Sequence, residues 1–288
     1  MDIHWYPGHM TKTKRMLIEQ MKLIDVVVEL LDARVPLSSK NPDIDSLAKD
    51  KRRILVLNKS DLADPNITAL WQEYFSQLGF FALPITAVNN DKKKGGVNNL
   101  AKTIHDLMRS KTQQQKQRGR KNMTIRVMIV GIPNVGKSTF INQLSGRSST
   151  TVADRPGVTR GRQWINVGNE FDLMDTPGVL WPKFEDPKVG LHLACTGAVS
   201  DNVLDKITLA EHLIGILLDV APKSLEKRYK IEIHNVNPIP SPNEILNTIG
   251  NARGFKMKGG VIDLERAAVM LLDEFRGGKL GQITLERP

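Results

Sequence analysis

Gly131-Ile132-Pro133-Asn134-Val135-Gly136-Lys137-Ser138 is the stretch on which the fold turns. It matches G-x-x-x-x-G-K-[ST], a pattern that chance supplies in about one in a hundred chains of this length, given average residue usage. Residues 123–130 before it predict a buried strand, and residues 137–144 after it a helix. A glycine-rich turn between strand and helix points backbone N–H groups outward, here those of Val135, Gly136, Lys137, Ser138 and Thr139. Together with the helix N-terminus they form a cradle for phosphates. In that cradle Lys137 is expected to reach the outer phosphates and Ser138 to hold Mg2+. An ordinary glycine-containing turn would not explain the strand–loop–helix context.

A second box, Asn58-Lys59-Ser60-Asp61, lies upstream at the end of the apolar run at residues 53–57. A carboxylate in that position accepts two N–H donors from a guanine edge, the ring N1 and the exocyclic amine. Adenine does not offer that pair, so a kinase acting on ATP is disfavoured by Asp61. Thr86-Ala87, after a strand at residues 80–84, fits the loop whose backbone supports the guanine oxygen. Downstream, Asp175-Thr176-Pro177-Gly178 closes the second strand after the phosphate turn. There Asp175 is placed to hold the Mg2+ shell and the Gly178 N–H to sense a γ-phosphate. Thr159, between the phosphate turn and Asp175, would complete the Mg2+ shell; the alternative is a plain loop threonine. In the conventional order the phosphate turn comes first. Joining the old ends through a polar, acid-free stretch at 111–121 and opening the chain after Gly178 gives the order seen here. Permutation at exposed joins preserves a fold.

Strand and helix alternate from residue 12 to about 175, which argues for a largely parallel sheet covered on both faces. Helices are expected at 12–22, 67–78 and 97–109, and strands at 25–31, 163–167 and 170–174. From about residue 186 helical periodicity takes over, at 188–199, 205–220, 224–229, 243–252 and 262–276. That division gives a permuted nucleotide-binding domain at 1–180 and a separate all-helical domain at 181–288. The 288 residues carry a net charge of +10, unevenly placed. Residues 111–180 hold 11 basic and 4 acidic side chains, whereas residues 181–288 hold 14 of each. A basic surface beside the nucleotide site suits a polyanion, RNA above all. Arg253-Gly254-Phe255-Lys256-Met257-Lys258 and Lys227-Arg228-Tyr229-Lys230 are smaller candidate RNA contacts, with a solvated bundle surface as the alternative. His192 and His212 fall in apolar helices as core or capping residues. The single cysteine, Cys195, excludes an internal disulfide and reads as a buried thiol. Residues 1–10 have neither a basic n-region nor an apolar h-region, and no apolar run approaches a membrane span. A cytoplasmic protein with no membrane contact is expected.

Taken with Trp5-Tyr6-Pro7-Gly8-His9-Met10, the Asp32-Ala33-Arg34-x-Pro36 turn and the helical tail, this order of elements resembles the circularly permuted GTPases of the YlqF/RbgA type, the ribosome biogenesis GTPase A family. The resemblance covers nearly the whole chain. It implies a permuted P-loop GTPase fold of three α/β/α layers followed by a small all-helical C-terminal domain. It also implies GTP as substrate, Mg2+ as cofactor and slow intrinsic turnover. The partner implied is a precursor of the large ribosomal subunit, with its rRNA and ribosomal proteins, bound late in assembly by a protein that is monomeric off the ribosome. An RNA- or protein-binding switch unrelated to ribosome assembly is the alternative. In related GTPases an asparagine at the position of Asn134 goes with K+ beside the β- and γ-phosphates; the alternative is an asparagine that only shapes the loop. Many GTPases place a water-orienting glutamine directly after Asp-x-x-Gly, but here Val179 and Leu180 follow. His9 is the candidate replacement, since a nearly neutral imidazole orients water or takes its proton. A structural or RNA-contacting role for His9 is the alternative, and His4 is the poorer candidate.

Overall fold

The computed structural model describes residues 9–86, 96–117, 124–145, 163–168, 170–178, 180–181, 184, 186–199, 205–233, 235 and 237–288. Six strands make one sheet: β1 (Val26–Asp32), β2 (Arg52–Asn58), β3 (Phe81–Ile85), β4 (Ile125–Gly131), β5 (Gln163–Val167) and β6 (Phe171–Asp175). Their spatial order is β3-β2-β1-β4-β6-β5. Every neighbouring pair is parallel except β5 on β6. The strand entering the phosphate turn, β4, pairs with β1 from far upstream, Val26 opposite Val127. Elements that precede β4 in the chain thus build half of the sheet that carries the turn.

The strand period of two divides the core. Val26, Val28 and Leu30 face one side, with Leu100, Ile104 and Met108 of α4 (Gly96–Gln117) and Phe140 of α5 (Lys137–Ser145). Val27 faces the other, against Leu17 and Met21 of α1 (His9–Met21) and Ile44 of α2 (Pro42–Leu47). Leu31, Leu55 and Leu57 meet Trp71 and Phe75 of α3 (Pro65–Gln77). All seven side chains of β1 are buried, as parallel strands covered on both faces require.

Two features depart from the sequence expectation. The stretch at 111–121 is not a linker throughout, because α4 continues to Gln117. No glycine or proline interrupts it before Gly119, and Lys and Gln are good helix formers, so an acid-free polar run propagates the turns already begun. The short α2 went unread, although Asn41 caps it, its side chain accepting from the Asp43 N–H at 2.9 Å, with Pro42 in the first turn.

Five helices follow: α6 (Pro187–Cys195), α7 (Lys206–Val220), α8 (Pro222–Tyr229), α9 (Pro242–Ala252) and α10 (Leu264–Arg276). Ser241 opens α9 with a capping box to Glu244. The helices are not insulated from the sheet. One buried cluster runs from Val28 and Ile129 through Leu180 and Leu193 to Leu213 and Leu271, and Cys195 is buried within it. Periodicity marks which face of each helix is apolar, but it does not say that the sheet is among the partners.

Candidate functional site

The motifs gather where the parallel strands end, at Asp32, Asn58, Ile85, Gly131 and Asp175, the edge at which open α/β sheets bind ligands. The phosphate turn and the guanine box hold each other directly. Asn58 is buried, and its Nδ2 donates to the Val135 carbonyl at 2.7 Å. Lys59 adopts a left-handed backbone, with φ of 58°, and its Nζ donates to the Asn134 carbonyl at 2.8 Å. Gly136 has φ of 98°, and a Cβ there would lie 2.6 Å from Asn58 Nδ2. The second glycine of the motif therefore has two jobs, a turn only glycine favours and a close approach to the guanine box.

Ser60 Oγ lies 3.1 Å from Thr86 Oγ1, tying the guanine box to its supporting loop. Asp61 is exposed in the short 3-10 turn Ser60–Leu62. Ala87 and Thr159 lie outside the described residues, as do Val179 and the side chain of His9, which opens α1. A Cβ on Gly178 would sit 2.8 Å from the Pro133 backbone and 3.0 Å from Lys137 Nζ, so the segment after β6 passes against the phosphate turn.

Lys137 is buried, its Nζ donating to the carbonyls of Gly131 at 3.0 Å and Ile132 at 2.7 Å. Its side chain folds back onto the carbonyls of the turn that carries it. Burial lowers its pKa to about 8, with Asp175 partly opposing the shift. Asp175 is itself buried and its pKa is raised by burial, with Lys137 pulling the other way. Its Oδ1 has no hydrogen-bond partner among the described residues. A buried carboxylate oxygen left without a donor fits a hard cation, which takes oxygen ligands. With Ser138 at the start of α5, Asp175 is therefore suited to an Mg2+ shell completed by phosphates. No cluster of three His, Cys, Asp or Glu is found among the described residues.

Phosphates beside Nζ would raise the lysine pKa again, so above pH 8 nucleotide binding must take up a proton. We expect affinity to be flat below about pH 7.5 and to fall as pH rises, at most tenfold per unit. Titration calorimetry in buffers of different ionisation enthalpy checks both the fall and the proton uptake. The ligand-free protein should respond oppositely. A lysine lowered in the folded state binds fewer protons than in the unfolded one, so stability rises between pH 8 and about 10.4, the ordinary lysine value. Affinity constant to pH 9.5 would remove Lys137 from the cradle.

Sequence patterns missed the group that underlies Lys59. Asp32 and Arg34 are each 1% exposed and form a bidentate pair, Nε to Oδ1 at 2.9 Å and Nη2 to Oδ2 at 2.8 Å. Asp32 Oδ2 also takes Lys59 Nζ at 3.0 Å, while Arg34 Nη1 reaches the Arg276 carbonyl of α10 at 3.3 Å. An Asp-x-Arg at the end of an apolar strand was the available signal. Asn134, with φ of 54°, donates its Nδ2 to the Gly197 carbonyl beyond α6 at 2.8 Å. Of the small basic clusters, Arg228 and the buried Tyr229 hydroxyl are both engaged by Glu274. Phe255 is covered by Arg266, whose guanidinium lies 4.4 Å from the ring centre. Those side chains hold the helices together, while Lys227, Lys230, Arg253, Lys256 and Lys258 remain exposed. His192 is a junction: its Nδ1 lies 3.2 Å from Ser38 Oγ and 3.0 Å from the Glu286 carboxylate.

A phosphate turn and a guanine box locked together at one sheet edge, but entered in reversed chain order, define a circularly permuted P-loop GTPase. The family model described as 50S ribosome-binding GTPase matches residues 126–239. The ribosome biogenesis GTPase A of Bacillus cereus is 45% identical over 289 residues, covering 100% of this chain and 95% of that protein. A crystal structure of GNP-bound YlqF from Thermotoga maritima aligns with a TM-score of 0.68 at 28% identity, covering 96% of this chain and 98% of that one. A GDP-bound form aligns at 0.67 with 27% identity, covering 95% and 99%. The chain belongs to the ribosome biogenesis GTPase A family.

Proposed function

We propose that this protein hydrolyses GTP to GDP and phosphate, and that it acts as an assembly factor in late maturation of the large ribosomal subunit. The observation that carries the activity is the direct bonding of the guanine box to the phosphate turn, Asn58 to Val135 and Lys59 to Asn134. Base identity and phosphates are thereby read at one site. In it Asp61 selects guanine, the backbone of 134–139 cradles the phosphates, and Lys137 neutralises charge that grows on the outer phosphate oxygens. Ser138, Asp175 and Thr159 would hold Mg2+, which when bound would offset negative charge on the nucleotide phosphates. Asn134 is the group beside which K+ would add to that neutralisation. Among the described residues no helix is long and apolar enough to cross a membrane. Of the eleven basic side chains at 111–180, Lys111 pairs with Asp25 at 2.5 Å and Arg126 lies over Trp164, while Arg118, Arg120, Lys121, Arg147, Arg155, Arg160 and Arg162 fall outside the described residues.

The test is co-sedimentation with large-subunit precursors in the presence of a non-hydrolysable GTP analogue. Retention with the analogue and release with GTP is expected; equal recovery with GDP, or none with either, would leave a GTP switch acting elsewhere. Since Val179 stands where a glutamine would orient water, His9 is assigned that role. His9→Ala should keep GTP affinity and subunit binding while lowering subunit-stimulated turnover by about 10- to 1000-fold. Normal stimulated turnover would pass the role to the ribosome or to K+ at Asn134.

A further inference from the structure

The turn that carries Asp61 scarcely holds itself. It has three residues, and its local hydrogen bonds are Leu62 N–H to Lys59 at 2.9 Å and Ala63 N–H to Ser60 at a long 3.4 Å. Its outward carbonyls are taken instead by the far end of the chain. Gln282 Nε2 donates to the Asp61 carbonyl at 3.1 Å, and the Ile283 N–H donates to the Leu62 carbonyl at 2.9 Å. Thr284 Oγ1 accepts the Asp64 N–H at 3.1 Å, just where Asp64 caps α3.

The same segment is anchored beyond the turn. The Leu285 N–H donates to the Arg34 carbonyl at 2.8 Å, and Trp71 Nε1 donates to the Glu286 carbonyl at 3.3 Å. The Glu286 carboxylate accepts from the Leu37 and Ser38 N–H groups at 2.8 and 3.1 Å. Ile283, Thr284 and Leu285 are each at most 5% exposed, so this is a seated strap and not a loose tail. At its root Gly278 packs under Leu62, where a Cβ would lie 2.7 Å from the Leu62 side chain.

We propose that residues 282–286 are a positioning strap for guanine recognition, setting how strictly Asp61 selects its base. This rests on the assignment of Asp61 as the guanine reader. A carboxylate that must meet two N–H donors at once tolerates little displacement, on the order of 0.5 Å. A base offering one donor tolerates more. The strap, built on the helical part of the chain through α10, therefore makes base selectivity depend on the seating of that part. A partner that shifts α10 would act on the guanine turn without touching the nucleotide.

The discriminating probes are GDP and IDP, since hypoxanthine keeps the ring N–H and lacks the exocyclic amine. Gln282 is exposed and its replacement removes one surface hydrogen bond, so Gln282→Ala should fold normally; Thr284→Val, isosteric and buried, is the second variant. By titration calorimetry each should lower the GDP-to-IDP affinity ratio about 3- to 10-fold, the scale of one hydrogen bond. IDP affinity should move little, and Thr284→Ser should restore the wild-type ratio. A fall in both affinities by one factor, tracking a fall in melting temperature, would make the strap a structural brace alone and overturn the proposal. An unchanged ratio would overturn it too. A wild-type protein that binds GDP and IDP equally would instead remove Asp61 from the site, and the strap's role with it.

Discussion

Asp61→Asn is expected to turn the protein from a guanine to a xanthine binder. Xanthine presents a carbonyl where guanine presents its amine, so an amide N–H suits it and a carboxylate repels it. Sites built to hydrogen-bond a ligand group reject analogues lacking it by about four orders of magnitude. GTP affinity should therefore drop by roughly 100-fold or more, with a gain for xanthosine triphosphate of similar size. The substitution is nearly isosteric and the side chain is exposed. The turn's carbonyls stay bonded to Gln282 and Ile283, so the effect should fall on the base and not the fold. A competition assay with labelled GTP reads it out. Unchanged GTP selectivity would mean that Asp61 does not face the base.

Why a short motif made this site so legible follows from what its residues do locally. The sequence Gly131 to Ser138 specifies its own geometry, a strand end, a left-handed turn and a helix start, with little outside help. Asn58-Lys59-Ser60-Asp61 is similar, since the strand before it is a continuous apolar run. The largely parallel sheet followed from the alternation of strand and helix, but its lateral order, with β1 beside β4, rests on pairings distant in the chain. What could not be read is what depends on distant partners. Asp32 and Arg34 look like a turn in sequence; burial and Lys59 make them a charged core. Gln282 to Glu286 carry no pattern, and their part in the site exists only once α10 is packed. Arg228 and Tyr229 look like an RNA cluster, yet Glu274 of α10 takes both. The helical continuation of α4 to Gln117 is a local matter, in which the helix propensity of Lys and Gln outweighs the lack of acidic partners.

The largest stability effect is expected at Asp32. Burial alone would push its carboxyl pKa up, but the Arg34 guanidinium and the Lys59 ammonium, with hydrogen bonds from Arg34, outweigh burial and hold it well below the usual carboxylate range. Asp32→Asn keeps the volume and removes the charge. Its amide N–H group then faces a guanidinium or an ammonium, donor against donor, and Arg34 stays buried with its partner gone. Breaking one side of a buried ion pair costs about 3–5 kcal/mol, a large part of the 5–15 kcal/mol that holds a typical domain. Because Lys59 is also bonded to the Asn134 carbonyl, GDP affinity should fall alongside stability. The acid dependence provides a second measurement with a definite sign. A carboxyl lowered in the folded state stabilises above its unfolded pKa of about 3.9, and that contribution is lost as pH falls below it. Urea unfolding should therefore show wild type and Asp32→Asn far apart at pH 7 and drawing together below pH 4. Curves that stay parallel on acidification, or a loss under about 1 kcal/mol, would show that Asp32 is not the charge on which Arg34 and Lys59 depend.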